Sequence, residues 1–315
     1  MTEKLNATFY AFHKREKSGV LLRASAAFGV LAIALTCAFF GALYALTGGA
    51  LFGLTSADPA AANNAITRGN LGGIMLAYML FLVAMFILIA AYEAACLRWL
   101  VRGQEGGGVC GLILGADTWR VYAIYWVWLV VATVLTVLFA VTIAVLSSVW
   151  ASVPNAPWLA MLTPLLAVIV PLYVSVRLAP AAATAVAKRR FAFFDAWKVS
   201  RDRFWPLLGA FALLWLIYVL LVMIVNAMWL GATSVNLVMD VALGGVNDTD
   251  ELPGAINQAV RDSLSSPTGV ATYVAVQVVT WVIAIWLYLA LFGVNARVAS
   301  IALEDGRITP ETAST

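Results

Sequence analysis

Six long apolar stretches alternate with short polar ones along the chain. They cover about residues 22–46, 71–97, 121–148, 158–183, 205–230 and 270–294. A bilayer core about 30 Å thick needs roughly 20 apolar residues in a helix, and every stretch reaches that length. A helix satisfies its own backbone hydrogen bonds in lipid, which makes helices the expected spans. The pattern therefore predicts an all-α integral membrane protein with six transmembrane helices.

The polar stretches are too short to hold a second domain. The longest gap between spans, 231–269, has about 39 residues, which is below the size of an ordinary soluble domain. The chain is 63% hydrophobic and 11% charged, whereas soluble domains are about 45–50% apolar and 25% charged. We therefore treat 1–315 as a single membrane domain, with a cytoplasmic interfacial segment at 1–20 and a cytoplasmic tail at 295–315.

Positive charges lie almost entirely on one side of the predicted spans. Of the 19 Lys and Arg residues, 17 precede span 1, follow span 2 or span 4, or lie in the tail, and only Arg68 and Arg261 lie on the other side. The positive-inside rule then places both termini in the cytoplasm. Because these basic residues flank membrane spans, they do not indicate a nucleic-acid partner.

The residues that usually carry chemistry are scarce. The chain has three cysteines without a CxxC pair and a single histidine, His13, so we expect neither a disulfide framework nor a metal site. Gly106, Gly108 and Gly111 spell GxGxxG, but that motif binds a cofactor only within a βαβ unit, for which this loop has no room. We predict a turn there, no cofactor, and no enzymatic activity.

A weak internal repeat organises the chain. The segment 117–121 (DTWRV) resembles 195–199 (DAWKV) at an offset of 78, and Arg98 and Arg177, which end the preceding spans, are 79 apart. A fainter copy, 11–14 (AFHK), precedes span 1, and Arg297 ends span 6. The repeat predicts three helical hairpins, each entered through a short amphipathic segment. The alternative is that aromatic-basic segments recur at any cytoplasmic membrane boundary.

The amphipathic segments are typical of the membrane interface. We predict that 191–204 forms a helix in the headgroup plane, because its aromatic residues share a face and its cations can reach anionic lipid. The expected anchors, including those of the second copy, are Phe194, Trp197, Lys198, Arg201, Trp119 and Arg120. They serve either as simple topology anchors or as specific lipid-binding groups. Across the spans, the acidic loop 231–269 predicts a short helix after Pro253, with a partner-binding surface as a further interpretation.

Four charged residues form the candidate site. Glu93 is the only acidic residue inside a predicted span, and intramembrane charge is a functional hypothesis by default. We expect it either to pair with an arginine or to serve transport. Arg98, Arg177 and Arg297 end the even-numbered spans, and their guanidinium groups suit a phosphate or carboxylate headgroup. We predict that the three converge there, with Glu93 as partial counter-ion. The alternative is separate snorkelling to the interface.

One region resembles a known bacterial family. Arg177-Leu178-Ala179-Pro180, followed by 194–209 (FDAWKVSRDRFWPLLG), is similar to the multi-pass membrane domain attached to some glycerophosphoryl diester phosphodiesterases, and to its stand-alone YciC-like relatives. The resemblance covers about residues 170–225, and no phosphodiesterase catalytic domain is present. It implies a lipid-associated protein of the bacterial inner membrane.

Two function classes follow. The first is a non-catalytic membrane protein that binds lipid, most simply anionic lipid, or an unknown protein partner. The alternative is a transporter of a small solute or lipid, which should show broken helices and polar groups near the midplane. Such groups are few: Thr163, Pro171, Asn226 and Gln277. Asn226 and Gln277 are more often helix-to-helix hydrogen-bonding groups, so the sequence favours the first class.

Overall fold

The structure is a computed structural model that describes residues 8–13, 19–47, 71–108, 110–151, 157–233 and 266–309. Within these ranges every regular element is a helix. The elements are α1 (Tyr10–His13), α2 (Gly19–Thr47), α3 (Leu71–Arg102), α4 (Ala116–Ala151), α5 (Pro157–Leu178), α6 (Ala181–Lys188), α7 (Asp195–Val199), α8 (Phe204–Thr233) and α9 (Pro267–Glu304). The predicted helix after Pro253 lies outside the described residues.

The prediction of six spans is confirmed. Six helical stretches are long and apolar enough to cross a membrane, with mean hydropathy between 1.5 and 2.8. Several run past the predicted ends: α3, α4 and α9 have 32, 36 and 38 residues. At 1.5 Å per residue each exceeds a bilayer core of about 30 Å. The extra turns carry charged residues, as at Arg102 and Asp117.

The chain divides into two compact units, and the charged residues concentrate in one of them. Unit 1 comprises 1–33, 82–211 and 289–315, and unit 2 comprises 34–81 and 212–288. Unit 2 contains apolar parts of α2, α3, α8 and α9. Within it, Phe39 of α2 stacks on Phe81 of α3, and Trp229 of α8 packs against Tyr273 of α9. Each of these ring contacts joins one pair of helices; the three predicted hairpins stay a prediction.

One hydrophobic cluster of unit 1 forms where α4, α5, α6 and α7 meet. It contains Ile124, Leu178, Ala181, Ala185, Ala192, Phe193 and Ala196. All eight residues of α6 are buried, and five of them are alanines. Small side chains let neighbouring helices approach closely, which is the usual basis of helix packing in membranes.

A proline break shapes the end of the fourth span. Pro180 separates α5 from α6 and occupies the N-cap of α6. Proline lacks a backbone N–H and cannot continue an α-helical ladder. Pro171, by contrast, lies inside α5 without ending it. The break leaves the last carbonyls of α5 without helical partners, and the carbonyl of Arg177 is one of them.

The predicted helix at 191–204 was too long. Only Asp195–Val199 is helical, and turns flank it on both sides. Asp202 adopts φ 57°, in the left-handed region that single residues, not helices, occupy. The spacing of aromatic and basic residues indicated an amphipathic face, but it carried no signal for this turn. The short helix still buries one side, through Ala196 and Val199.

Candidate functional site

The arginines that end the even-numbered spans each contact a different entry segment of unit 1. We define three entry segments, each lying before or at the start of an odd-numbered span: the first, 8–13; the second, 103–120; and the third, 189–203. Arg98 contacts the second segment, Arg177 the third and Arg297 the first. The arginine at the end of each hairpin therefore contacts the segment that precedes the next hairpin. The arginine at the end of the last hairpin contacts the segment that precedes the first. The sequence repeat thus corresponds to a cyclic set of contacts.

Arg98 is buried against a glycine-rich turn. Its side chain donates from Nη2 to the backbone oxygen of Gly111 at 3.0 Å, and the residue is 8% exposed. A Cβ on Gly106 would lie 2.8 Å from that same oxygen and 3.2 Å from Nη2. Gly108 and Gly111 have φ values of 81° and 92°, which glycine adopts without strain. The sequence analysis predicted GxGxxG as a turn with no role in cofactor binding. In the structure the backbone of this turn packs against the buried Arg98.

Arg177 lies in an aromatic cage. Its guanidinium carbon is 5.3 Å from the ring centre of Tyr173, 5.4 Å from that of Trp197 and 5.9 Å from that of Phe204. Two hydrogen bonds also join Ser200 and Arg177, and each residue donates one of them. Arg177 Nη1 donates to the Ser200 backbone oxygen at 2.9 Å, and Ser200 Oγ donates to the Arg177 backbone oxygen at 2.9 Å. This second bond satisfies the carbonyl that the break at Pro180 leaves exposed.

Arg297 contacts the first segment. Its guanidinium lies 5.5 Å from the ring centre of Tyr10, and its Nη1 is 3.7 Å from a carboxylate oxygen of Glu304. Nearby, α9 and α1 approach closely, because a Cβ on Gly293 would lie only 2.8 Å from the Cβ of Ala11. The three predicted site arginines are thus held by three different segments. Their convergence on one headgroup stays a prediction.

Glu93 has a partner that was not predicted. The Tyr125 hydroxyl donates to its Oε2, and the residue is 5% exposed. Among the described residues no ion pair joins Glu93 to Arg98, so the expected pairing with an arginine is not formed. The preceding residue, Tyr92, shares a 2.8 Å hydrogen bond with Ser25 and stacks on Phe28. This part of α3 is therefore tied to α2 and α4 through tyrosine hydroxyls.

Two aspartates at equivalent positions of the repeat form ion pairs with nearby cations. Asp117 accepts from Arg102 and, at 2.7 Å, from Arg120. Asp195 accepts from the buried Lys188 at 2.5 Å, and two further cations, Arg190 and Lys198, lie 3.8 Å away. The bond from Lys188 is the main reason why the pKa of Asp195 lies below its usual range. Each aspartate thus joins the preceding span to a cation three residues ahead.

The predicted interfacial anchors lie at the surface of unit 1. Phe194 is 74% exposed, Trp197 41% and Trp119 49%; Lys198 and Arg201 are also exposed, and Arg120 is half-buried. The position of Phe194, Lys198 and Arg201 at the membrane interface stays a prediction. Trp197 has a second role, because the same ring covers Arg177.

The residues that complete the site had weak signals in the sequence. Tyr125, Tyr173, Phe204 and Ser200 lie in or beside spans, where aromatic and hydroxyl residues are common. Asp117 and Asp195 did carry a signal, since both open the repeated motif. In the part of the chain that the structure describes, no group of His, Cys, Asp and Glu residues is arranged to hold a metal ion.

Comparisons with family models, with curated proteins and with solved structures found no match for this chain.

Proposed function

We propose that this chain is a non-catalytic inner-membrane protein of bacteria that binds anionic lipid through the cationic third segment of unit 1, 189–203. The observation that carries the proposal is the exposed surface of 190–205. Phe194 and Trp205 are 74% and 76% exposed, and the side chains of Arg190 and Lys198 are 53% and 77% exposed. Apolar rings beside cations suit the headgroup layer of an anionic membrane.

Charge placement and the family resemblance support the same proposal. The exposed cations belong to the side that carries 17 of the 19 basic residues, which the positive-inside rule assigns to the cytoplasm. That leaflet is rich in anionic lipid in general. A reporter fused after residue 192 should therefore report the cytoplasm. The resemblance of 170–225 to a lipid-associated bacterial family stays a prediction, and it agrees with this assignment.

Native mass spectrometry can test the lipid-binding surface. The full chain is purified in neutral detergent and offered equal amounts of phosphatidylglycerol and phosphatidylethanolamine. Removing two surface cations, in Lys198→Gln/Arg201→Gln, should weaken phosphatidylglycerol binding by about 2 kcal/mol, or roughly thirtyfold. The matched control, Arg68→Gln/Arg261→Gln, removes the same charge on the other side of the spans. An equal loss in both variants would show that net charge alone attracts the lipid.

The second candidate is a transporter of a small solute or lipid, and Glu93 favours it. A buried intramembrane carboxyl bonded to a tyrosine hydroxyl is a common element of proton-coupled pathways. The break in the fourth span at Pro180 adds a discontinuous helix, which transporters use at binding sites. A proton flux into proteoliposomes that Glu93→Gln abolishes and Lys198→Gln spares would favour transport over lipid binding.

A further inference from the structure

Arg177 differs from the other two arginines that end the even-numbered spans, because its guanidinium is both accessible and without a carboxylate. Arg98 is buried, and Arg297 lies 3.7 Å from a carboxylate oxygen of Glu304. Arg177 is half-buried, and in the described residues its hydrogen bonds go only to uncharged oxygens. A partly desolvated cation without a counter-ion is costly, and an anion that reached it would remove that cost.

One nitrogen of the Arg177 guanidinium remains available. Nε donates to the Tyr173 hydroxyl at 3.2 Å, and Nη1 donates to the Ser200 backbone oxygen at 2.9 Å. Nη2 has no acceptor among the described residues, yet the buried donors that lack an acceptor there all belong to other residues. Nη2 is therefore accessible from the surface. Its two N–H groups suit an oxyanion, which guanidinium groups bind through strong, charge-assisted hydrogen bonds.

The rings that hold Arg177 continue onto the exposed surface. The ring centre of Tyr173 lies 5.0 Å from that of Phe204 and 5.8 Å from that of Trp197. Phe204 in turn contacts Trp205, which is 76% exposed. Exposed aromatic rings beside cations are typical of the layer where headgroups meet acyl chains. The rings also fix the guanidinium in advance, which lowers the entropy cost of binding a ligand.

The charge around Arg177 stays positive when every contacting acid is counted. Residues 177–203 contain seven cations and two acids, Asp195 and Asp202. Ion pairs in the described residues add one acid from outside this range, Asp305, and one cation, Arg307. Eight cations then stand against three carboxylates. Helix termini contribute about half a charge each and of both signs, so they do not remove the surplus.

We propose that Arg177 binds a phosphate group, supplied either by a phospholipid headgroup or by free phosphate, through Nη2. The inference rests on the proposed function for the approach of a lipid to this surface, and it adds the residue that contacts the headgroup. Phosphatidylglycerol and phosphatidylethanolamine both carry a phosphate and differ in net charge. Arg177 should therefore contribute equally to both lipids, whereas Lys198 and Arg201 should contribute to phosphatidylglycerol alone.

Native mass spectrometry of the full chain in neutral detergent can separate these roles. The probes are the two phospholipids, inorganic phosphate and uncharged diacylglycerol. Arg177→Gln should weaken the binding of each phospholipid about tenfold and leave diacylglycerol binding unchanged. Arg23→Gln is the matched control, because Arg23 is exposed, lies on the same predicted side of the spans and donates within its own helix, to the Gly19 oxygen. It should leave phosphatidylethanolamine binding unchanged.

The outcomes distinguish a phosphate site from a general surface charge. Equal loss with both phospholipids supports the site with a lipid headgroup as its ligand, and loss with inorganic phosphate alone supports it with free phosphate. Loss with phosphatidylglycerol alone would make Arg177 one more surface cation and would overturn the proposal. An equal loss with diacylglycerol, no loss with any probe, or no binding of the phosphate-containing probes to the wild type would also overturn it.

A second variant decides if Arg177→Gln fails to fold. In Arg177→Lys the ammonium nitrogen takes the place of the guanidinium carbon by bond count, so a cation stays among the rings but no longer reaches the phosphate. Both phospholipids should then bind roughly threefold less tightly; unchanged binding would contradict the proposal. Lys198→Gln/Arg201→Gln should leave phosphatidylethanolamine binding unchanged. Failure of the proposed function and failure of this site would therefore appear in different variants.

Discussion

Arg98 and Arg177 occupy equivalent positions in the repeat, and each donates to a backbone oxygen of the entry segment that follows, at 3.0 and 2.9 Å. They differ in what surrounds the guanidinium. Arg98 is enclosed by glycine backbone and is 8% exposed. Arg177 is enclosed by three aromatic rings and is half-buried. The hydrogen bond to the following segment is thus accompanied by close backbone packing at Arg98 and by cation–π packing at Arg177.

The surroundings of the two guanidinium groups differ because the two entry segments lead into their spans in different ways. In the second segment the repeated motif is the first turn of α4 itself, which begins at Ala116. In the third segment the motif is a separate helix, α7, and a turn at Asp202 precedes α8. The free-standing helix can present Trp197 and Ser200 to Arg177. The continuous helix cannot turn toward Arg98, so the glycine loop before it supplies the carbonyl.

Substitution of Asp117 or Asp195 should change the free energy of unfolding more than the other substitutions considered below. Asp117→Asn should lower the free energy of unfolding by about 3–5 kcal/mol, because the Arg102 side chain, which is 13% exposed, loses its counter-ion. Asp195→Asn should cost less, about 2–3 kcal/mol, since the Asp195 side chain is 24% exposed and that of Asp117 only 12%. Unfolding in mixed micelles titrated with sodium dodecyl sulfate measures both. Asp202→Asn is the control, with a 70% exposed side chain; a cost there as large as for Asp117 would contradict the argument.

The glycine turn gives the next largest effect. Gly106→Ala places a Cβ 2.8 Å from the Gly111 oxygen, and backbone cannot give way as a flexible side chain can. We expect a loss of about 1–3 kcal/mol in the same unfolding assay. Gly107→Ala is a close control, because its Cβ meets only a side-chain carbon of Ile113 at 3.6 Å. Equal stability of the two variants would mean that Arg98 does not need the close approach.

Sequence reasoning found the framework of this site but only part of its chemistry. Hydropathy located the six spans because burial in lipid acts on every residue of a span. The repeat contains Asp117 and Asp195 at matching positions, each with a basic residue three positions on, but the sequence did not predict their ion pairs. The pairing of Glu93 with Tyr125 was not predictable, because the two are 32 residues apart on different helices. A tyrosine in a span gives no sign of which neighbour its hydroxyl meets.

The Asp195 carboxyl should make the stability of the fold depend on pH. The pKa of Asp195 lies below its usual range, chiefly because of Lys188. A carboxyl with a lowered pKa stabilises the folded state at pH values above the unfolded pKa, and this contribution is lost as pH falls through the folded pKa. Stability should therefore fall below about pH 4. The fall should be smaller in Asp195→Asn, and unfolding measured at pH 7 and pH 3 gives the difference.

The smallest effect tests the aromatic cage directly. Trp197→Leu removes the ring 5.4 Å from Arg177, and a cation–π contact at a partly exposed site contributes about 0.5–1 kcal/mol. Trp119 occupies the equivalent position in the second copy, but its recorded ring contact is with Tyr122, within the same helix. A double-mutant cycle of Trp197→Leu with Arg177→Gln should therefore show coupling of that size. The cycle of Trp119→Leu with Arg98→Gln should show none. Coupling in both cycles would mean that the two copies hold their arginines in the same way, and the contrast between backbone enclosure and aromatic enclosure would be wrong.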